Sequence, residues 1–187
     1  MSVFELPRSV EFGGRTWAIN TDFRDVLLTL EAFEDPELAS EEKAFVCLHN
    51  FYPDFEEIPR ELLQDAYNAA VGFIDHGGAS NGKAGPRTMD WNQDADIIFP
   101  AVNRVAGFEV RSVDYLHWWT FLGYFMEIKD TTASTVFALR SKKAQGKKLE
   151  KWEKDYWSQN RELCQLRPKL TEAEREEKKR IEKLLGG

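Results

Sequence analysis

Cysteine is scarce in this chain, with only Cys47 and Cys164 present. Two isolated thiols cannot build a Cys-based zinc site and do not form a disulfide framework. Nothing therefore calls for an oxidising compartment. Long apolar runs are also missing: the longest are short and broken by charge, well below the roughly 20 residues needed to span a bilayer. The opening MSVFELPRSVEFGG has no basic region followed by an apolar one, so no signal peptide is expected. These absences together predict a soluble cytoplasmic protein with no membrane partner. An excess of basic charge is lacking too. Acids outnumber bases 32 to 25, a formal net charge of -7, which excludes a whole-protein basic footprint for nucleic acid. Gly82-Lys83 lies in a glycine-rich stretch but in no G-x-x-x-x-G-K-S/T pattern, and no strand precedes it, so a phosphate-binding loop is rejected. There is no sustained heptad and no internal repeat.

What is present suffices for a real core. Of 187 residues, 42% are hydrophobic and 13% aromatic, enough to exclude global disorder and to suit one domain with an appendage. The charge is unevenly spread. Residues 1–139 carry 10 Lys and Arg against 23 Asp and Glu, a net of -13, whereas residues 140–187 carry 15 against 9, a net of +6.

Periodicity predicts a mainly α fold: a multi-helix body over residues 1–141, a short N-terminal β-hairpin at about 8–21, and a charged, basic helical appendage over 142–187. In SVEFGGRTWAIN, Val10 and Phe12 alternate, Gly13-Gly14 turn the chain, and Trp17 and Ile19 alternate again, which is a two-residue hairpin signal. Asp22 is placed to cap a helix carrying Phe23, Val26, Leu27, Leu30 and Phe33, which Asp35-Pro36 ends. Ser40 caps a second, ended by Pro53-Asp54. Pro59 opens a third at its first turn, ended by His76-Gly77-Gly78. Residues 77–88 form a glycine-rich loop. Asp90, with Gln93 three residues on, caps the next helix, in which Pro100 predicts a kink before Gly107 ends it. Ser112 starts the aromatic segment DYLHWWTFLGYFMEI, whose apolar face of Tyr115, Trp118, Trp119, Leu122, Phe125 and Met126 is expected at the centre of the core. Another helix begins near Thr132. Beyond Lys142 charge dominates, and Thr171 with Glu174 forms a capping box for a last helix.

No catalytic constellation emerges. Asp94, Asp96 and His117 are the best candidates for a metal or hydrolytic site. Asp94 and Asp96, however, lie about 200° apart around a helix, so they cannot both face one ion; Asp94 reads instead as a solvated or first-turn acid. No serine or cysteine nucleophile motif accompanies His117. No catalytic, metal-binding or cofactor-binding residue is therefore assigned, and no cofactor is expected. The tail segment RSKKAQGKKLEKWEKDYW interleaves aromatics with lysines, a texture that suits nucleic acid. Glu150, Glu153 and Asp155 interrupt it, with Glu150 and Lys154 spaced as a helix-surface pair, and the acidic body would repel phosphates. The alternative is an amphipathic helix docking Trp152, Tyr156 and Leu163. Lys147, Lys148, Trp152, Tyr156 and Trp157 are the candidates for contact with a partner.

The order of motifs resembles a known family. Asp22-Phe23-Arg24 follows the hairpin; Asp90-Trp91 leads into Gln93-Asp94-Ala95-Asp96; Leu116-His117-Trp118-Trp119-x-Phe121 comes next; Arg140 lies past the following helix turn. In this order and spacing they resemble the bacteriophage gene-product-fifteen family of tailed phages and prophages of Gram-positive bacteria, over about residues 8–165. The resemblance implies a non-enzymatic tail assembly chaperone that acts in the bacterial host cytoplasm and is absent from the mature virion. Its implied partners are the tape measure protein, which it keeps soluble, and the tail tube protein that assembles around it. The motif residues are then mainly fold-defining. A nucleic-acid-binding phage accessory protein using the basic tail is the competing function. The charge split further predicts head-to-tail self-association into a ring or filament.

Overall fold

The computed structural model describes residues 4–76 and 85–185, and of residues 182, 184 and 185 the backbone only. Among these residues the chain is mainly helical, with one two-stranded antiparallel sheet at its N-terminus. Most of the glycine-rich loop, including Gly77, Gly78 and Gly82, lies outside the described residues.

The strands are β1 (Ser9–Phe12) and β2 (Arg15–Ala18), with Val10 opposite Trp17 and Phe12 opposite Arg15. Gly13 and Gly14 both take positive φ, 58° and 73°, which is what a two-residue hairpin turn of matching twist demands. Phe12 and Trp17 stack with centroids 5.2 Å apart, and their buried face closes one end of the core. A hairpin this short does not hold alone; the helices behind it supply its packing.

Three helices follow: α1 (Phe23–Glu34), α2 (Ser40–Phe51) and α3 (Leu63–Ile74). Asp22 caps α1, its carboxylate accepting from the Arg24 N–H at 2.9 Å. Ala39, not Ser40, is the N-cap of α2, and Glu42 reaches back to the Ala39 N–H at 2.7 Å. Pro59 does not open α3 directly. It starts a 3₁₀ turn at Arg60–Leu62 that leads into it.

The next two helices are α4 (Ala95–Ala106) and α5 (Trp118–Met126). α4 runs unbroken through Pro100 and ends at Gly107 with φ 80°. α5 begins six residues later than the sequence predicts, because Ser112 ends a 3₁₀ turn (Val110–Ser112), a bend follows at 113–114, and the chain then runs into a bridge at His117. Asp22 and His117 form a β-bridge, with the Phe23 N–H on the Leu116 carbonyl at 3.0 Å and the Trp118 N–H on the Thr21 carbonyl at 2.7 Å. As a result Tyr115 and Met126 lie exposed instead of in the core. Trp118, Phe121, Phe23, Ile98 and Tyr52 occupy the centre, with Phe23 and Phe121 stacked at 4.6 Å.

The chain closes with α6 (Thr132–Ala144), α7 (Lys151–Gln159), α8 (Arg161–Cys164) and α9 (Glu172–Leu185). α6 runs past residue 141, and α8 packs back on it around a small second cluster of Val136, Leu139 and Cys164. Glu153 is buried, not part of a solvated face: it accepts from the Glu150 N–H and pairs with Lys142. The Thr171–Glu174 box starts α9 as expected. Among the described residues no helix is long and apolar enough to cross a membrane.

Candidate functional site

The motif residues gather into two polar knots and one aromatic wedge. The first knot ties the end of the hairpin to the entry of α5. Asp22 Oδ1 caps α1 while Oδ2 accepts from the Leu116 N–H at 3.1 Å. Arg24 bonds both Asp22 oxygens at 3.0 Å and donates to the Arg111 and Val113 carbonyls. One carboxylate thus satisfies backbone donors of Arg24 and Leu116, 92 residues apart.

His117 is the N-cap of α5. Its Nδ1 accepts from the Trp119 N–H at 3.0 Å, so Nε2 carries the proton that it donates to the Pro7 carbonyl at 2.9 Å. Burial pushes the imidazole below its ordinary range, and nearby Arg8 adds to this against the pull of the Pro7 carbonyl. Both ring nitrogens are engaged in holding backbone, which leaves neither free for general-base work in this arrangement.

The wedge is Trp118 and Trp119. Their indole N–H groups donate to the carbonyls of Ile74 and Phe73 at 2.8 and 2.9 Å. These are carbonyls of the last turn of α3, where helical partners run out, although that of Phe73 also accepts from the His76 N–H at 3.0 Å. Two adjacent tryptophans therefore serve as a C-terminal cap as well as core. Trp91 packs on Phe125 and Phe121, at 5.0 and 6.2 Å between centroids.

The second knot centres on Asp94 and Arg140, both at most 4% exposed. Arg140 Nη1 and Nη2 bond the Asp94 carboxylate at 2.6 and 2.9 Å. The remaining donors go to the carbonyls of Thr88, Leu163 and Cys164. All five guanidinium N–H groups are used. Asp94 is thus not solvated; it stands at the N-cap position of α4, its carbonyl accepting from the Ile98 N–H at 2.8 Å, but its side chain makes no cap bond, and that side chain's other contact is the Asp90 N–H at 2.9 Å. Asp90 caps the turn before α4, accepting from the Asn92 and Gln93 N–H groups. Burial pushes the Asp90 carboxyl up, but the Gln93 N–H and the Lys169 and Arg87 cations together outweigh it, and the net shift is downward. Gln93 brackets the segment before α9, donating to the Gln165 carbonyl and accepting from the Arg167 N–H. This role had no sequence signal, because its partners lie more than 70 residues away.

The hydrolytic set does not assemble. Asp94 faces Arg140, Asp96 is exposed, and His117 holds Pro7. Among the described residues no group of three or more His, Cys, Asp or Glu is placed to hold a metal. Of the partner candidates, Lys147, Lys148 and Trp152 are exposed. Tyr156 and Trp157 are half-buried against the second cluster, with Lys143 Nζ 3.9 Å over the Trp157 ring. The docking apolar side chains of the tail are therefore Tyr156, Trp157 and Leu163, and Trp152 is left outside.

Two surface grooves went unread in the sequence. One, of about 590 Å³, lies between β1 and α3, with Val10, Ala69, Phe73 and Trp119 in its walls. The other, also about 590 Å³, lies on the α1–α2 face beside the base of α9.

No curated protein and no solved structure matches the chain. The family model described as bacteriophage Gp15 protein matches residues 3–166, which include every residue of the two knots but Arg167 and Lys169. The chain belongs to the bacteriophage Gp15 protein family.

Proposed function

We propose that this phage protein is a tail assembly chaperone: it binds and solubilises the tape measure protein and helps tail tube subunits assemble around it, without catalysing a reaction. The observation that carries this reading is the groove between β1 and α3. It is apolar at Val10, Ala69, Phe73 and Trp119, open at the surface, and rimmed by polar Ser9 and Glu11. A helical client lays an apolar stripe of i, i+3, i+4 anchors into such a groove without needing chemistry. The motif side chains support the same reading, since their polar atoms are engaged in internal bonds that make the groove walls rigid: Trp119 is fixed by Phe73, and Pro7 by His117.

The test is coexpression with the long tape measure protein of the same phage. The client is expected in the soluble fraction only when this chain is present, and a Val10→Asp variant should lose that effect while staying folded. A client equally insoluble with and without the chain refutes the function. The reading also places the protein in the host cytoplasm, so mass spectrometry of purified virions should not find it.

A nucleic-acid-binding role has one specific observation in its favour: Lys147, Lys148, Lys151 and Lys154 are all exposed around exposed Trp152. It predicts duplex binding that falls steeply with salt. No binding at low salt removes it.

A further inference from the structure

One face of α2 lines neither groove and stays open to solvent. Glu41, Phe45 and His49 follow one another at intervals of four, which stacks them on one side of the helix, turned away from buried Cys47 and Phe51. Phe45 is 55% exposed. It meets Phe55 edge-on, with 88° between the ring planes and 5.5 Å between centroids, and His49 stands 5.9 and 6.1 Å from the two. The three rings make an angled corner of the kind on which an ammonium group or another aromatic settles.

Carboxylates flank this corner. Glu41 stands one turn before Phe45, and Asp54 and Glu56 are the chain neighbours of Phe55. All three are exposed, and among the described residues none is in an ion pair. Over residues 41–61 six acids stand against Lys43 and Arg60, a net of -4. Lys43 donates to the Phe33 carbonyl at 3.0 Å, and Arg15, which reaches this region from β2, is taken by Glu57.

The turn between α6 and α7 has the opposite character. Gly146, at φ 68°, follows the end of α6, and α7 starts at Lys151. Over residues 142–155 six lysines stand against three acids, a net of +3. Lys142 and Glu153 cancel as a pair. Lys147, Lys148, Lys151 and Lys154 are exposed, with no ion pair among the described residues, and the acids left beside them are Glu150 and Asp155. Trp152, 56% exposed, stands among these lysines. Both surfaces are open in the folded chain, so neither covers the other within one molecule.

We infer that the α6–α7 turn of one copy docks on the Phe45–His49–Phe55 corner of a second copy, with its lysines toward Glu41, Asp54 and Glu56 and with Trp152 against Phe45. Charge complementarity selects the occupant. An anionic partner on the turn leaves the acidic corner without one, whereas a second copy supplies both halves at once, -4 against +3, with an exposed aromatic on each side. The contact joins two different surfaces of the chain, a head-to-tail arrangement. It lies outside the β1–α3 groove and needs no client, so it stands or falls apart from the chaperone reading.

Sedimentation velocity on the full chain tests it with two variants at exposed positions. Glu41→Gln with Phe45→Ser removes the corner, and Lys148→Gln with Trp152→Ser removes the turn. Wild type should associate at low salt, and the association should weaken about tenfold or more at high salt as the charges are screened. Each variant alone should sediment as a monomer with a melting temperature close to that of wild type. An equimolar mixture should give a 1:1 dimer and nothing larger, because one intact corner and one intact turn remain and they lie on different chains. A misfolded variant could not supply its half of that dimer. A wild type that stays monomeric, a variant that associates like wild type, or a mixture that stays monomeric each overturns the inference. So does a wild type that stays monomeric while its turn binds duplex DNA, since the occupant is then a nucleic acid.

Discussion

Removing Asp94 should unfold the junction between body and tail at a large and calculable cost. The Asp94→Ala variant leaves the Arg140 guanidinium, whose side chain is 3% exposed, with three carbonyl partners and no counter-charge. Two unit charges about 4 Å apart attract by about 4 kcal/mol at an effective dielectric of 20. Breaking a buried pair by removing one partner costs about 3–5 kcal/mol, in line with that figure. For a chain of this size each kcal/mol moves the melting temperature by about 2–4 °C, so the drop should be on the order of 10 °C. Arg140→Met should cost at least as much, because it also strips the carbonyls of Thr88, Leu163 and Cys164 of their donor. The double variant should be less destabilised than the sum of the two, with a coupling of about 0.5–3 kcal/mol. Urea unfolding of all four proteins measures the cycle. An Asp94→Ala loss below about 1 kcal/mol, or a cycle additive to within about 0.5 kcal/mol, would refute the assignment of this pair as the central tie.

Trp118→Ala should cost about 3–5 kcal/mol, since the side chain is buried and its loss also uncaps the Ile74 carbonyl; chemical denaturation measures it, and a change under 1 kcal/mol, far below the ~3 expected of a core aromatic, would place the residue outside the core. His117 has its folded pKa depressed, so the stability tied to its neutral form is full above the ordinary histidine value of about 6.5 and is lost as pH falls from there through the folded value; His117→Asn, which keeps an acceptor for the Trp119 N–H, should flatten that slope in melting curves between pH 7 and 5. Asp90 follows the same sign lower down, its contribution being present above about 3.9 and lost in acid below it. Burial pushes the Cys47 thiol up to about 12 and raises Cys164 as well, so the native protein should react slowly with a thiol reagent and release both thiols only on unfolding.

Local chemistry was legible in the sequence wherever the partner was near. The Gly13-Gly14 turn, the Asp22 cap, the Gly107 terminus and the Thr171–Glu174 box each involve residues within four positions of one another, and each has the predicted form. What went unread depends on distant partners. Helical spacing at Tyr115 was genuine, but the backbone around His117 pairs with Thr21 and Phe23 through Trp118 and Leu116, and a long-range bridge overrides a local period. Asp94 looked like a first-turn acid because Arg140 lies 46 residues away. Glu153 looked solvated because nothing in its own helix shows that Lys142 reaches it from α6. The grooves belong to this class too, since each is walled by elements far apart in the chain.

The charge split that divides the sequence at residue 140 is partly consumed in folding. Arg140 is taken by Asp94, and Lys169 bridges Glu34 at 2.6 Å and Asp90 at 3.1 Å. These pairs draw the segment before α9 across the acidic body. The tail is not one basic arm but an exposed cationic α6–α7 turn, then an anchored strap before α9, then α9 itself, whose five bases are matched by five acids. The two kinds of contact differ in their response to salt. Exposed pairs are worth about 0–1 kcal/mol and are screened beyond about 10 Å at 0.1 M. Asp94 and Arg140 are shielded from solvent and are screened far less. Raising the ionic strength should therefore separate copies of the chain, or strip a bound anionic partner, well before it loosens the strap. A melting temperature that fell in step with dissociation would mean that the strap itself is held by exposed charge.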